Sequence, residues 1–111
     1  MAKTTKTLSP ENLQKAAGCL KAIAHPVRLK MVQLLLNDQF TVGELAEECS
    51  VPQNVASEHL KLLERCGLFC HERKGNKVFY QVTEPMLESF MSCIENKFDP
   101  PSQNLRRDKG E

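Results

Sequence analysis

The apolar residues of this chain change their spacing twice, and that change leaves few folds open. They recur at helical intervals up to Leu63, alternate between Leu68 and Val82, and return to helical spacing from Met86 to Phe98. A 3.6-residue period lines side chains along one face of a helix, and a two-residue period lines them along one face of a strand. The chain therefore reads as amphipathic helices interrupted once by a pair of strands. Its 111 residues suit one compact domain with one modest core. That size argues against an enzyme built around a deep cavity.

The punctuation divides this pattern into elements. Ser9-Pro10-Glu11 opens a first helix, with a capping hydroxyl followed by a proline whose missing N–H costs nothing there. Leu13, Ala16, Ala17, Leu20, Ile23 and Ala24 carry it to about Ala24. His25-Pro26 breaks it and opens a second helix with the stripe Val27, Met31, Leu34 and Leu35, ending at Asn37-Asp38-Gln39. Thr41 and Glu44 form a capping box for a short third helix that ends near Cys49. After Ser50-Val51-Pro52 a fourth helix buries Val55, Ala56, Leu60, Leu62 and Leu63, and Gly67 stops it. Leu68 and Cys70, then Val78, Tyr80 and Val82, give two strands joined by the basic turn Arg73-Lys74-Gly75-Asn76-Lys77. Thr83 is expected to cap a fifth helix running to Phe98. Residues 1–8 read as a disordered arm, 9–98 as the folded domain and 99–111 as a flexible polar tail.

Net charge is only +1, but the charges are segregated. Residues 1–30 carry Lys3, Lys6, Lys15, Lys21, Arg28 and Lys30 against Glu11; residues 61–80 carry Lys61, Arg65, Arg73, Lys74 and Lys77 against Glu64 and Glu72. Residues 31–60 hold five acidic side chains and no Lys or Arg. Such a layout fits one cationic surface on a nearly neutral protein, and also fits chance clustering on a solvated face. No apolar run approaches the roughly 20 residues that span a bilayer, and the N-terminal MAKTTKT carries no signal-type stretch. The expected location is the cytoplasm, with no membrane partner. The five cysteines, at 19, 49, 66, 70 and 93, are odd in number and irregular in spacing. Free thiols are expected rather than a disulfide framework.

Two short helices joined by a tight turn and followed by a basic hairpin have a direct mechanical reading. One α-helix fits the major groove, whose floor displays a distinct donor and acceptor pattern for each base pair. The fourth helix offers Gln53, Asn54, Ser57, Glu58, His59 and Lys61 to such a groove. Arg73, Lys74, Asn76 and Lys77 at the hairpin tip reach flanking phosphates or the minor groove. The competing reading is a polar surface helix on any small α protein.

Three segments carry a specific resemblance: LKAIAHPVRLKMVQLLL, TVGELAEECSVPQNVASEHLKLLERCGLF and ERKGNKVFYQV. Within them, His25-Pro26-x-Arg28-Leu29, Gly43-Glu44-Leu45-Ala46, Ser57-x-His59-Leu60 and Gly67-Leu68 match the ArsR/SmtB family of metal- and stress-responsive repressors. The chain resembles that family over residues 13–98. The resemblance implies a mainly α fold with a small β-hairpin, a winged helix-turn-helix in the order of four helices, two strands and a last helix. It also implies a homodimer through the first and last helices, placing Leu13, Ala17, Leu20, Leu87, Phe90, Met91 and Ile94 at its seam. Such a dimer binds an imperfect palindrome in double-stranded DNA and represses transcription until an inducer releases it. Activation instead of repression stays open. One departure is Glu58, where the family often has glutamine. A carboxylate is repelled by phosphate but accepts from cytosine N4.

The family's inducer sites are largely missing here. The arsenic-type cysteine run falls on Thr41-Val42-Gly43, and the persulfide-type cysteine of the second helix falls on Gln33. The zinc-type site of the last helix has Glu84 but no histidine between residues 83 and 98. The cadmium/lead-type pair keeps only Cys66, with Leu62 at the other position. No cofactor is required, and a metal or metalloid inducer held by thiolates of Cys66, Cys70, Cys93 and Cys19 is one reading. Packed, inert thiols are the other. A Cys66/His71 nucleophile pair lacks a third orienting group, so no enzymatic role is expected. A winged-helix protein-interaction module without inducer response is the remaining alternative.

Overall fold

The computed structural model describes residues 5–99. Helix starts follow their caps. Ser9 Oγ accepts from Asn12 N–H at 3.1 Å and opens α1 (Pro10–Ile23). His25 sits in extended backbone and its Nδ1 accepts from Val27 N–H at 3.1 Å, which opens α2 (Pro26–Asn37). The two-residue strand β1 (Phe40–Thr41) leads into α3 (Val42–Cys49). There Glu44 N–H donates to Thr41 Oγ1 at 3.2 Å and Thr41 N–H donates to Glu44 Oε1 at 2.9 Å, the reciprocal box expected from the sequence. α4 (Gln53–Arg65) follows, then β2 (Phe69–Lys74), β3 (Lys77–Val82) and α5 (Met86–Phe98).

The turn between α3 and α4 depends on a residue in the left-handed region. Ser50 has φ 56° and ψ 46°. Its N–H donates to Glu47 O at 3.1 Å and Val51 N–H donates to Ala46 O at 3.0 Å, so the last carbonyls of α3 are satisfied while the chain reverses. An L-residue there costs about 1–2 kcal/mol, more if β-branched. Ser50→Val is therefore expected to destabilise the protein by a further 1–2 kcal/mol or so, whereas Ser50→Gly is tolerated; urea unfolding of both variants checks this. Equal stabilities would show that the turn does not set the angle between the two helices. α4 ends in the same manner at Gly67 (φ 78°), with Gly67 N–H on Glu64 O and Leu68 N–H on Leu63 O, both at 3.0 Å.

The sheet is three-stranded and antiparallel in the order β1-β3-β2, with Phe40 opposite Tyr80 and Phe69 opposite Val82. The hairpin turns on Gly75 and Asn76, and the positive φ of Gly75 (67°) suits a two-residue connection that keeps the twist of its strands. β1 adds a strand to the expected pair; two residues display no period. The alternation also has a different phase in β2. Phe69 is buried beside Leu68, and Cys70 lies opposite Gln81 on the other face.

One core joins the elements. Ile23, Met31, Val32, Leu45, Leu60, Leu63, Leu68 and Leu87 are fully buried. Leu87 and Met91, expected from the sequence at a dimer seam, are core residues: they are 0% and 5% exposed within the single chain. They lie on the side of α5 that packs against α2. Phe90 and Ile94 are half-buried, Ala17 is exposed, and Leu13, Leu20, Met86 and Phe98 are exposed apolar side chains. Thr83 does not cap α5. Its N–H is bonded to Leu68 O and its hydroxyl donates to Gly67 O at 3.4 Å, which ties it to the wing. The Glu84 carboxylate instead accepts from Met86 N–H at 3.1 Å. Residues 5–8 precede α1 without regular structure, and Asp99 closes α5 with its N–H on Glu95 O. The rest of the expected arm and tail, residues 1–4 and 100–111, lies outside the described residues.

Candidate nucleic-acid interface

α4 has two chemically opposed faces. Ala56, Leu60 and Leu63 are fully buried. Gln53, Asn54, Glu58 and Lys61 are exposed and Ser57 is half-buried on the other side. Pro52 precedes the helix and supplies no side-chain cap, so the first N–H groups of α4 are not consumed by a neighbouring side chain. The positive end of the helix dipole thus faces outward beside Gln53 and Asn54. A phosphate oxygen is well suited to that end.

The wing stands next to it. Gln53 and Lys77 line one open groove together with Thr41, Val42, Gly43 and Val78, so the start of α4 and the base of the wing share a surface. Arg73, Lys74, Asn76 and Lys77 are all exposed. Lys74 is oriented by two neighbours: its Nζ donates to Gln39 Oε1 at 3.0 Å and lies 5.5 Å from the centre of the Phe79 ring. Gln39 Nε2 donates onward to Gln81 Oε1 at 3.1 Å. Gln39 was not legible as part of this surface, because it lies in a connection remote in sequence from the wing.

His59, expected among the groove-facing side chains, is half-buried and directed to the protein instead. Arg28 Nε–H donates to its Nδ1 at 2.9 Å. Burial first, then the Arg28 guanidinium and the His25 ring, hold this imidazole below its ordinary range, and Glu58 opposes them.

The thiols are dispersed. Cys19 is half-buried on α1 and Cys93 is exposed on α5. Cys66 closes α4, and Cys70 on β2 accepts from Gln81 Nε2 at 3.5 Å. Desolvation pushes the Cys49 thiol up, with Lys30 opposing and Glu48 adding to the shift. His71, which follows Cys70, pairs with Glu64 at 2.7 Å. Among the described residues no three His, Cys, Asp or Glu side chains converge on a point that could hold a metal ion. The expected site at Cys66, Cys70, Cys93 and Cys19 is therefore not assembled within one protomer. The reason is geometric, since the four occupy a helix end, a strand and two further helices.

The chain is similar to several proteins named as transcriptional regulators. A helix-turn-helix domain profile matches residues 23–68. The transcriptional repressor SmtB of Mycobacterium tuberculosis is 40% identical over 76 residues, which cover 68% of this chain and 56% of that protein. The chain thus spans little more than half the length of that relative. The biofilm growth-associated repressor of Agrobacterium fabrum is 30% identical over 91 residues, covering 82% of this chain and 78% of the repressor. A Mycobacterium bovis protein described as a homodimeric winged helix-turn-helix DNA-binding domain shares the fold, with a TM-score of 0.72 over 93% of this chain and 95% of its own, at 22% identity.

Proposed function

As the chain belongs to the ArsR/SmtB family of winged helix-turn-helix transcriptional regulators, we propose that it is a sequence-specific DNA-binding repressor acting as a homodimer. The observation that carries this reading is the split character of α4. Its inner face is locked into the core by Ala56, Leu60 and Leu63, while Gln53, Asn54, Ser57, Glu58 and Lys61 stand outward beside the basic wing. Two copies related by a two-fold axis would present two such helices to successive major grooves, about 34–36 Å apart. Exposed Leu13, Leu20, Met86 and Phe98 supply apolar surface for that pairing. Glu58 at the rim disfavours phosphate and suits a cytosine N4 donor, so it contributes to base choice. Among the described residues no helix is long and apolar enough to cross a membrane, and a cytoplasmic role on duplex DNA fits this.

Among the described residues an inducer held by thiolates finds no converging ligand set within one protomer. It would have to draw on the cysteines of both copies, with Cys19 on α1 and Cys93 on α5 the members nearest to the proposed seam. The test is a selection of labelled duplexes from a random-sequence pool. The selected duplex is then titrated alone and with As(III), Cd(II) or peroxide. Enrichment of an imperfect palindrome at two protomers per duplex is the expected result. Failure to enrich any duplex would reject the DNA-binding reading; indifference to all three reagents would reject thiol sensing and leave repression standing.

A further inference from the structure

Arg28 joins three elements through its side chain: besides the backbone bond from His25 N–H to Ile23 O at 2.9 Å, which ties the α2 cap to α1, it supplies the described hydrogen bonds among α1, α2 and α4. Its Nη1–H donates to Ala22 O near the end of α1 at 2.9 Å, and its Nε–H donates to His59 Nδ1 on α4 at 2.9 Å. It belongs itself to the first turn of α2. The His59 ring packs against that of His25, the α2 cap, with centroids 4.8 Å apart and planes inclined by 55°. His25 Nδ1 accepts from Val27 N–H, so each imidazole presents its Nδ1 as an acceptor. A guanidinium has donors only. The Arg28–His59 bond therefore exists only with a lone pair on His59 Nδ1.

We infer that Arg28 and His59 are positioning residues that fix α4 against α1, and that this clamp opens when His59 gains a proton. The inference rests on the DNA-binding reading above. α1 carries Leu13 and Leu20 of the proposed seam and α4 carries the reading face, so the clamp ties that face to one part of the seam, and the angle between them bears on the spacing between recognition helices. A proton on Nδ1 replaces the acceptor with a donor facing Arg28 and puts a second cation against the guanidinium. The charged and titratable groups acting on His59 are Arg28 and His25 from α2 and its cap, and Glu58 on its own helix. α1 contributes the Ala22 carbonyl, which the same guanidinium occupies. Glu58 favours the cation but points to solvent; burial, Arg28 and His25 disfavour it. The folded chain thus takes up this proton later than the unfolded chain on acidification. Stability from the clamp is complete above the ordinary histidine range and is lost as pH falls through the lowered midpoint.

The sign separates this from ordinary electrostatics. Acid makes a protein more cationic, and added positive charge tightens binding to DNA. The clamp predicts the opposite. The test measures affinity of the wild-type protein for a fluorescent duplex, enriched by the protein itself, from about pH 7.5 to about pH 5.5, across the histidine range. Circular dichroism monitors the fold. Expected is a weakening of about 3-fold or more at the acid end, since a proton excluded from the bound form lowers affinity by up to about tenfold per pH unit below the midpoint. His59→Gln, whose Oε1 can still accept from Arg28, is expected to lose the acid weakening and follow the electrostatic trend. Ring nitrogen shifts should show His59 protonated on Nε2 at neutral pH. Tighter wild-type binding in acid, or the same profile in His59→Gln, overturns the inference while leaving DNA binding intact. No enriched duplex at any pH overturns both. Should His59→Gln fail to fold, the wild-type profile and the ring tautomer decide alone.

Discussion

Leu60→Ala is expected to lower the unfolding free energy by about 2–5 kcal/mol, the range for removing a buried leucine side chain without collapse of the site. Leu60 is 0% exposed and lies between Ala56 and Leu63 on the inner face of α4. A shortened side chain leaves a void among residues drawn from several elements, and none can close it without moving another. Small domains hold about 5–15 kcal/mol in all, so this one truncation removes a large share. Urea unfolding should show a lower midpoint at unchanged slope. DNA affinity should fall with it, because the same helix that loses its anchor carries the reading face. Asn54→Ala and Lys61→Ala offer the contrast. Both side chains are exposed, and their loss should change stability by no more than about 0.5 kcal/mol. A Leu60→Ala cost below about 1 kcal/mol would mean that α4 is not held by this core at all.

The features the sequence disclosed are those with a local cause. Ser9, Thr41 with Glu44, and Gly67 mark helix ends through bonds that span three to five residues, and each does so in the fold. The polar face of α4 was legible for the same reason, since helical spacing alone sorts Gln53, Asn54 and Lys61 from Leu60 and Leu63. What escaped depends on distant partners. The two residues of β1 are a strand only because Tyr80 and Phe79 lie opposite them. Leu87 and Met91 share the apolar character of Phe90 and Ile94, and periodicity cannot tell which part of a wide stripe meets the chain's own core. His59 has a place in the helical pattern that suits a base contact. Arg28, 31 residues away, redirects it. The cysteines are not brought together within one protomer, because their spacing crosses a helix end and a strand, where no single period fixes direction.

The wing carries an arrangement that folding alone would not favour. Lys74 and Lys77 are directly opposite one another at the closed end of the hairpin. Like charges in that relation are destabilising. Gln39 and the Phe79 ring offset part of the repulsion at Lys74, but Lys77 stands exposed beside the groove it shares with Gln53. If the pair is there for phosphates, the double variant Lys74→Ala/Lys77→Ala should separate stability from binding. Its melting temperature should stay equal or rise slightly, while its affinity for the selected duplex drops. A dimer loses four cations. With a slope of about −0.9 per phosphate neutralised, the dependence of log affinity on log salt should become shallower by up to about 3–4, and affinity at physiological salt should fall by about 100-fold. The loss should be uniform across duplex sequences, since phosphate contacts carry no base information. Asn54→Ala should behave in the opposite way, changing preference among duplexes at a nearly constant salt slope. An unchanged slope in the lysine variant would place the wing off the DNA. The winged-helix protein-interaction reading would then take its place, with the exposed lysines facing an acidic protein partner.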